Sequence, residues 1–254
     1  MSSYDKVYAL GCFTRQDVVS MMGSEKAADA LIYAKKRNGE VRSVKRNLYV
    51  AISRETRQPV VSPYEIGSKI TPSAFISHHS AFEYYGMANQ VFSEIHVSSK
   101  TRFKDFEFDG RTYTCVHAKS GVGVESPRPR LRITGIERTI VDSIKDFTRI
   151  GGLEELLRCL QMVTYVSEPK MLEALASHNN QFLFQKTGYI LSHYRTEMKL
   201  TDAFFSECEG RVRRSTRYFY PGIQFEGPKF DAKWRLFVPE NLMKIVDEGG
   251  DAVV

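Results

Sequence analysis

No two cysteines in this chain lie close enough to form a C-x-x-C pair: Cys12, Cys115, Cys159 and Cys208 are scattered over 254 residues. Paired histidines at zinc-finger spacing are missing as well, so neither a structural zinc nor any other metal site is expected. An even number of cysteines leaves two disulfides open. A chain large enough for a real core does not need them, and all four are expected as reduced, mostly buried thiols. No apolar run approaches the roughly 18 residues of a spanning helix. The start, MSSYDKVYAL, lacks the basic and apolar segments of a secretion signal. A cytoplasmic protein with no membrane partner is expected. Serine nucleophile elbows, phosphate-cradling glycine loops and H-E-x-x-H are also missing, which removes the usual footholds for catalysis and leaves no cofactor to expect.

What is present is an ordinary soluble composition, 42% hydrophobic and 26% charged, with room for two domains. The charge is unevenly placed. The whole chain carries 36 basic and 30 acidic residues, a net of +6, and residues 1–61 hold 11 basic and 6 acidic, nearly all of the excess. A sequence pI of about 9.0 suits an acidic polymer or an acidic protein. The plainer alternative is that these charges are merely solvated on a small domain packed against its neighbour.

The pattern from Phe13 to Ile52 favours the acidic polymer. Thr14 can cap a helix, Asp17 can close its capping box, and Phe13 can staple onto Val18. Gly23 ends that helix and Ser24 caps the next, so two helices are joined by a tight turn and must cross steeply. The second, Glu25 to about Arg37, places Ala27, Ala28, Leu31 and Ile32 inward. Lys26, Asp29, Ala30, Tyr33, Lys36 and Arg37 face outward. Asn38 and Gly39 stop it. Val41 to Val44 and Leu48 to Ile52 then alternate as two strands around the basic tip Lys45-Arg46-Asn47. Helix, turn, helix and basic hairpin in that order is the plan of a winged helix-turn-helix. Lys26, Tyr33, Lys36 and Arg37 are therefore the expected major-groove contacts, with Arg15, Lys45 and Arg46 on the phosphate backbone.

After Ile52 the proline-containing stretch to residue 72 reads as a linker. Phe75 to Tyr85 reads as an apolar helix, in which the adjacent His78 and His79 point about 100° apart and suit a hydrogen-bonded core better than one metal ion. Ile95 to Ser98 reads as a short strand. Asp109-Gly110, between Phe106–Phe108 and Arg111–His117, signals a type I′ hairpin. Arg130 to Asp146 begins as a strand and continues as a helix, with a capping box from Thr134 to Glu137 and Ile136, Ile140, Val141 and Ile144 inward. Glu137, Arg138 and Asp142 are expected to form ion pairs holding that helix in place. Three further helices bury leucines and aromatics, and Trp234 to Val238 reads as a strand. Arg211, Arg213, Arg214 and Arg217 run into Tyr218, Phe219 and Tyr220. Such interleaving suits either a protein interface, led by the four arginines with Tyr218 and Tyr220, or an edge strand with no ligand.

Three segments in this order carry a family resemblance: the helix-turn-helix with its wing end Asn47 to Val50 (N-L-Y-V), S-A-F-E-Y-Y-G from Ser80 to Gly86, and I-E-R-T-I-V-D from Ile136 to Asp142. Together they resemble the AbiEi family of bacterial antitoxins over roughly the first three-fifths of the chain. The resemblance implies a winged helix that binds double-stranded DNA at inverted repeats in its own promoter. It also implies a C-terminal domain that counteracts a nucleotidyltransferase-like toxin, in a type IV toxin–antitoxin system tied to abortive phage infection. Self-association on adjacent repeats would follow.

The expected fold is α+β, an N-terminal winged helix-turn-helix over residues 1–61, a linker over 62–72 and a larger mixed α/β C-terminal domain over 73–254. The expected function is that of a non-enzymatic autorepressor and antitoxin. Two rivals stand beside it: a ligand-sensing repressor without a toxin, and a nuclease built on the D-x-K triplet Asp231-Ala232-Lys233, where a carboxylate would hold Mg²⁺.

Overall fold

The computed structural model describes residues 3–212 and 214–249 of the chain, in an α+β fold of two compact units. The first unit comprises residues 1–76, 93–119 and 126–133; the second comprises 77–92, 120–125 and 134–254. Arg213, one of the expected interface residues, lies outside the described residues.

The first unit starts with α1 (Ser3–Leu10), β1 (Cys12–Thr14), α2 (Arg15–Met22), α3 (Glu25–Arg37), β2 (Val41–Lys45) and β3 (Leu48–Ala51). The caps form as the residues dictate. Thr14 and Asp17 make a reciprocal capping box at the start of α2, Gly23 takes φ +70° at its end, and Ser24 accepts from the Ala27 backbone to open α3. Each such cap contributes about 1 kcal/mol. The hairpin β2–β3 is joined by β1 into an antiparallel sheet of order β1-β3-β2, in which Cys12 faces Val50 and Thr14 faces Leu48. Val7, Phe13, Val18, Ala28, Ile32, Val41 and Ala51 make the core beneath it. Val7 docks helix α1, and the Tyr4 hydroxyl donates to the Ile52 carbonyl.

Residues 62–72 are not a linker. They hold α4 (Pro63–Lys69), whose N-cap Ser62 forms a capping box with Glu65 and whose Pro63 sits at the first turn, where its missing N–H is harmless. The proline that reads as a loop signal is a helix start. Helix α4 lies so close to a six-stranded sheet that a Cβ on Gly67 would stand 2.6 Å from Ile76 Cδ1 and 3.1 Å from Val97 Cγ2. The sheet contains β4 (Phe75–Ile76), β5 (Glu94–Ser99), β6 (Phe106–Phe108), β7 (Arg111–His117), β8 (Val124–Arg128) and β9 (Leu131–Thr134), in the order β6-β7-β5-β4-β9-β8. The helix expected from Phe75 is therefore corrected at its start: Phe75 and Ile76 are a central strand, opposite Ser98 and Val97 on one side and Ile133 on the other. The β6–β7 turn has positive φ at both Asp109 (55°) and Gly110 (73°), the type I′ geometry. Because the basic hairpin, α4 and this sheet belong to one compact unit, the boundary expected at residue 61 is replaced by the division above.

The second unit is mostly helical: α5 (His79–Tyr84), α6 (Ile136–Lys145), α7 (Leu153–Gln161), α8 (Glu168–Ser177), α9 (Gln181–Ser192), α10 (Asp202–Gly210) and α11 (Lys244–Gly249). A small sheet of order β10-β12-β11 completes it, from β10 (Arg217–Tyr218), β11 (Lys229–Asp231) and β12 (Leu236–Val238). Trp234 lies so close to α9 that a Cβ on Gly188 would come within 2.2 Å of its ring, so only glycine fits there. The expected capping box at Thr134 does not form. Gly135 is the N-cap of α6, the Thr134 hydroxyl pairs with that of Thr139 at 2.7 Å, and Glu137 accepts from the Ser167 backbone at 2.8 Å. Arg138 and Asp142 do pair, at 2.8 Å, and His178 meets the other oxygen of Asp142 at 2.7 Å. Burial pushes the Asp142 carboxyl up, but the His178 hydrogen bond and the nearby His78 and Arg138 outweigh it and hold the group at about 2. His78 and His79 are both buried; His79 opens α5, stacks on Phe92 at 3.9 Å and meets Glu155 at 3.3 Å.

Candidate nucleic-acid interface

Helix α3 is amphipathic, and its outer face carries three exposed cations, Lys26, Lys36 and Arg37. Ala28 and Ile32 are buried and Leu31 half-buried, whereas Lys26, Asp29, Ala30, Tyr33, Lys36 and Arg37 are exposed. Tyr33 is 70% exposed, a large aromatic surface left in water. Lys26 and Arg37 have no hydrogen bond or ion pair among the described residues, and Lys36 lies 5.9 Å over the Tyr49 ring with its charge still outward. At about 1.5 Å per residue the helix runs roughly 20 Å, long enough to follow a groove about 12 Å wide.

Several other cations of this region are already engaged, among them Arg15 and Lys45, two of the three expected backbone contacts. Arg15 is ion-paired at the surface. Its guanidinium bonds both oxygens of Asp29 (2.6 and 2.8 Å) and Glu25 (3.2 Å), so it straps the start of α2 to α3 and its charge is neutralised there. These bonds push the Arg15 guanidinium further up and hold Asp29 below the usual carboxylate range. Lys45 is not at a free tip either. It lies 5.0 Å over Phe103 and 5.3 Å over Phe106, and burial against these rings lowers its pKa. Arg42, beside it on β2, pairs with Asp109 and stacks 4.7 Å over Phe108. Arg46, next to Asn47 at the β2–β3 turn, is exposed and has no hydrogen bond or ion pair among the described residues. Asn47 adopts φ 61°, and its side chain accepts from the Arg15 backbone, which ties this turn to the start of α2.

Lys35 escaped the helical pattern. It is buried on α3 with Glu40 at 2.7 Å, and Arg54 closes the other side of that carboxylate. Burial pushes Glu40 up, but the two cations together hold it below its ordinary range. The only hint in the sequence is the spacing, a lysine five residues before a glutamate across the Asn38-Gly39 helix stop.

The C-terminal arginine and aromatic residues fall into two groups. Arg211 pairs with Glu207 at 3.0 Å and lies 5.9 Å over Phe184, so its charge is engaged. Arg214, Arg217 and Tyr218 are exposed, and the Tyr220 hydroxyl donates to Glu226. Arg217 and Tyr218 form the edge strand β10, parallel to β12, with Tyr218 stacked on Phe237 at 4.9 Å. The Asp231-Ala232-Lys233 triplet contacts the neighbouring Trp234. Asp231 accepts from the Trp234 backbone at 2.9 Å, Lys233 leans on the Trp234 ring, and no cluster of three or more metal-ligating side chains occurs among the described residues.

No family model matches the chain, and no curated protein matches it. Among solved structures it is similar to the crystal structure of the RV2827C protein from Mycobacterium tuberculosis, with a TM-score of 0.62 at 13% identity, covering 98% of this chain and 96% of that one. The likeness shows a shared fold. Among the described residues no helix is long and apolar enough to cross a membrane.

Proposed function

We propose that the chain is a DNA-binding transcriptional regulator whose N-terminal helices and basic hairpin work as a winged helix-turn-helix, with α3 in the major groove. Lys26, Tyr33, Lys36 and Arg37 contact base edges and nearby phosphates, and Arg46 holds the backbone beside them. The observation that carries this is selective: around α3, Arg15, Lys35, Arg42, Lys45 and Arg54 are tied to carboxylates or rings. Of the cations left facing water, Lys26, Lys36 and Arg37 share one helix face and Arg46 stands at one turn, while Lys6 and Arg57 are exposed elsewhere. An exposed set of this kind, with an aromatic ring at its centre, suits a polyanion better than a solvated surface does.

The resemblance to AbiEi antitoxins extends the proposal. On that reading the regulator represses its own operon by occluding inverted repeats, and the rest of the chain neutralises a nucleotidyltransferase-like toxin encoded beside it. The test is separation of function in the full chain. Residues 1–61 share a compact unit with 93–119 and 126–133, so point variants are the right tool and deletion is not. A variant with Lys26, Lys36 and Arg37 all changed to Ala is expected to lose repression of a reporter placed behind its own promoter. It should still protect cells expressing the neighbouring gene. Loss of both activities in a folded variant would contradict the division, and so would retention of both.

A further inference from the structure

The second unit holds an ammonium group with no counter-ion on the wall of an open cavity. Lys186, on α9, is only 6% exposed, and among the described residues it makes no hydrogen bond or ion pair. Three rings surround it instead: Phe147 at 4.4 Å, Phe182 at 5.5 Å and Phe219 at 5.6 Å. Cation–π contacts offset part of the cost of burying a charge, but buried cations are ordinarily paired with an anion. Asp146, the carboxylate that lines the same cavity, is taken up by the Thr148 hydroxyl at 2.6 Å and Arg149 at 3.0 Å. Burial accordingly pulls the Lys186 amine down to about 8, with Asp146 opposing only in part.

The cavity that Lys186 lines has a volume of about 640 Å³, within the range of small-molecule sites. Two more cations line it, Lys145 at the end of α6 and Arg217 on β10, and neither is ion-paired among the described residues. Phe147, Phe182, Tyr218 and Tyr220 supply aromatic walls. Three cations against one engaged carboxylate leave room for a doubly charged anion. Rings on several sides offer stacking to a planar group, which is sequence-tolerant and strong for nucleobases.

We propose that this cavity is a binding site for a small phosphate monoester carrying a planar ring, of the nucleoside monophosphate class, with Lys186 and Arg217 on the phosphate and the aromatic walls on the base. The site lies wholly within the second unit and does not depend on the DNA-binding proposal. It would give the protein a ligand to sense.

The test uses the full chain, with adenosine 5′-monophosphate, adenosine and inorganic phosphate as separate probes, read by calorimetry and by thermal shift. Adenosine monophosphate is expected to bind saturably and raise the melting temperature, with phosphate and adenosine each markedly weaker. Lys186→Met should remain folded, because a buried unpaired charge is replaced by an apolar chain of similar length, and should weaken nucleotide binding about tenfold or more. Arg217→Ala, at an exposed position, should weaken it with the melting temperature of the free protein unchanged. Absence of a saturable response to the nucleotide would overturn the proposal. So would equal affinity for inorganic phosphate alone, or unaltered binding in both variants.

Discussion

The two basic-aromatic regions of this protein look alike as sequence and differ as structure. Around α3, cations are sorted by engagement: Arg15 is held by Asp29 and Glu25, Lys45 lies on Phe103 and Phe106, and Lys26, Lys36 and Arg37 are left on a convex, exposed face. In the second unit Arg211 is neutralised by Glu207, while Lys186 and Arg217 stand unpaired at a concave, ring-lined cavity. A convex array of charges fits an extended polymer, and a cavity fits a molecule that can enter it. The number of arginines in a segment therefore says less about its partner than the shape of the surface on which the unpaired ones remain.

Substitutions at engaged charges should act on stability, and those at unengaged charges on binding. The largest effect is expected at the buried pair. Arg138→Ala leaves Asp142 charged and buried without its arginine partner, and should cost about 3–5 kcal/mol in denaturant unfolding, with DNA affinity changed only through the folded fraction. Next comes the α3 face. Lys36→Ala or Arg37→Ala should lower affinity for the promoter repeats by about 1–3 kcal/mol if the residue reads a base edge, and random duplex should lose less.

Acid should weaken the second unit in two stages. His78 is buried and its pKa falls from 6.5 to about 4, so the unfolded chain takes up this proton first and stability drops as pH falls through that window. Asp142, depressed from 3.8 to about 2, stabilises the fold above its ordinary range, and that contribution disappears as pH falls from 3.8 towards 2. Thermal melts across this range should show the first stage flattened in His78→Asn.

The smallest effect separates Arg46 from Arg15. Arg46→Ala should reduce the salt dependence of binding by about one unit of slope, the signature of one lost phosphate contact. Arg15→Ala should leave the slope unchanged while loosening the packing of α2 on α3.

Much of the N-terminal fold was legible because its signals are local. The Thr14 and Asp17 capping box, Gly23, Ser24 and the Asp109-Gly110 turn each act within a few residues, and each forms as its chemistry requires. What was not legible depends on residues distant in sequence. Pro63 reads as a loop until Ser62 and Glu65 are seen to cap a helix against Ile76 and Val97. Phe75 and Ile76 read as a helix until Ile133 and Val97 flank them as strands. Likewise no local pattern pairs Lys45 with Phe103 or gathers Lys186 and Arg217 at one cavity, so the exposed face of α3 was legible and the engagement of Arg15 and Lys45 was not.

The central claim is that the exposed cations of α3 bind duplex DNA. Its most direct test is fluorescence anisotropy with a labelled duplex from upstream of the reading frame, titrated with the full chain at salt concentrations from about 50 to 200 mM. Saturable binding that weakens steeply with salt is expected, with near-complete loss when Lys26, Lys36 and Arg37 are all Ala. Duplex that stays free at the lowest salt, or a folded triple variant that binds with the wild-type affinity and slope, would contradict it.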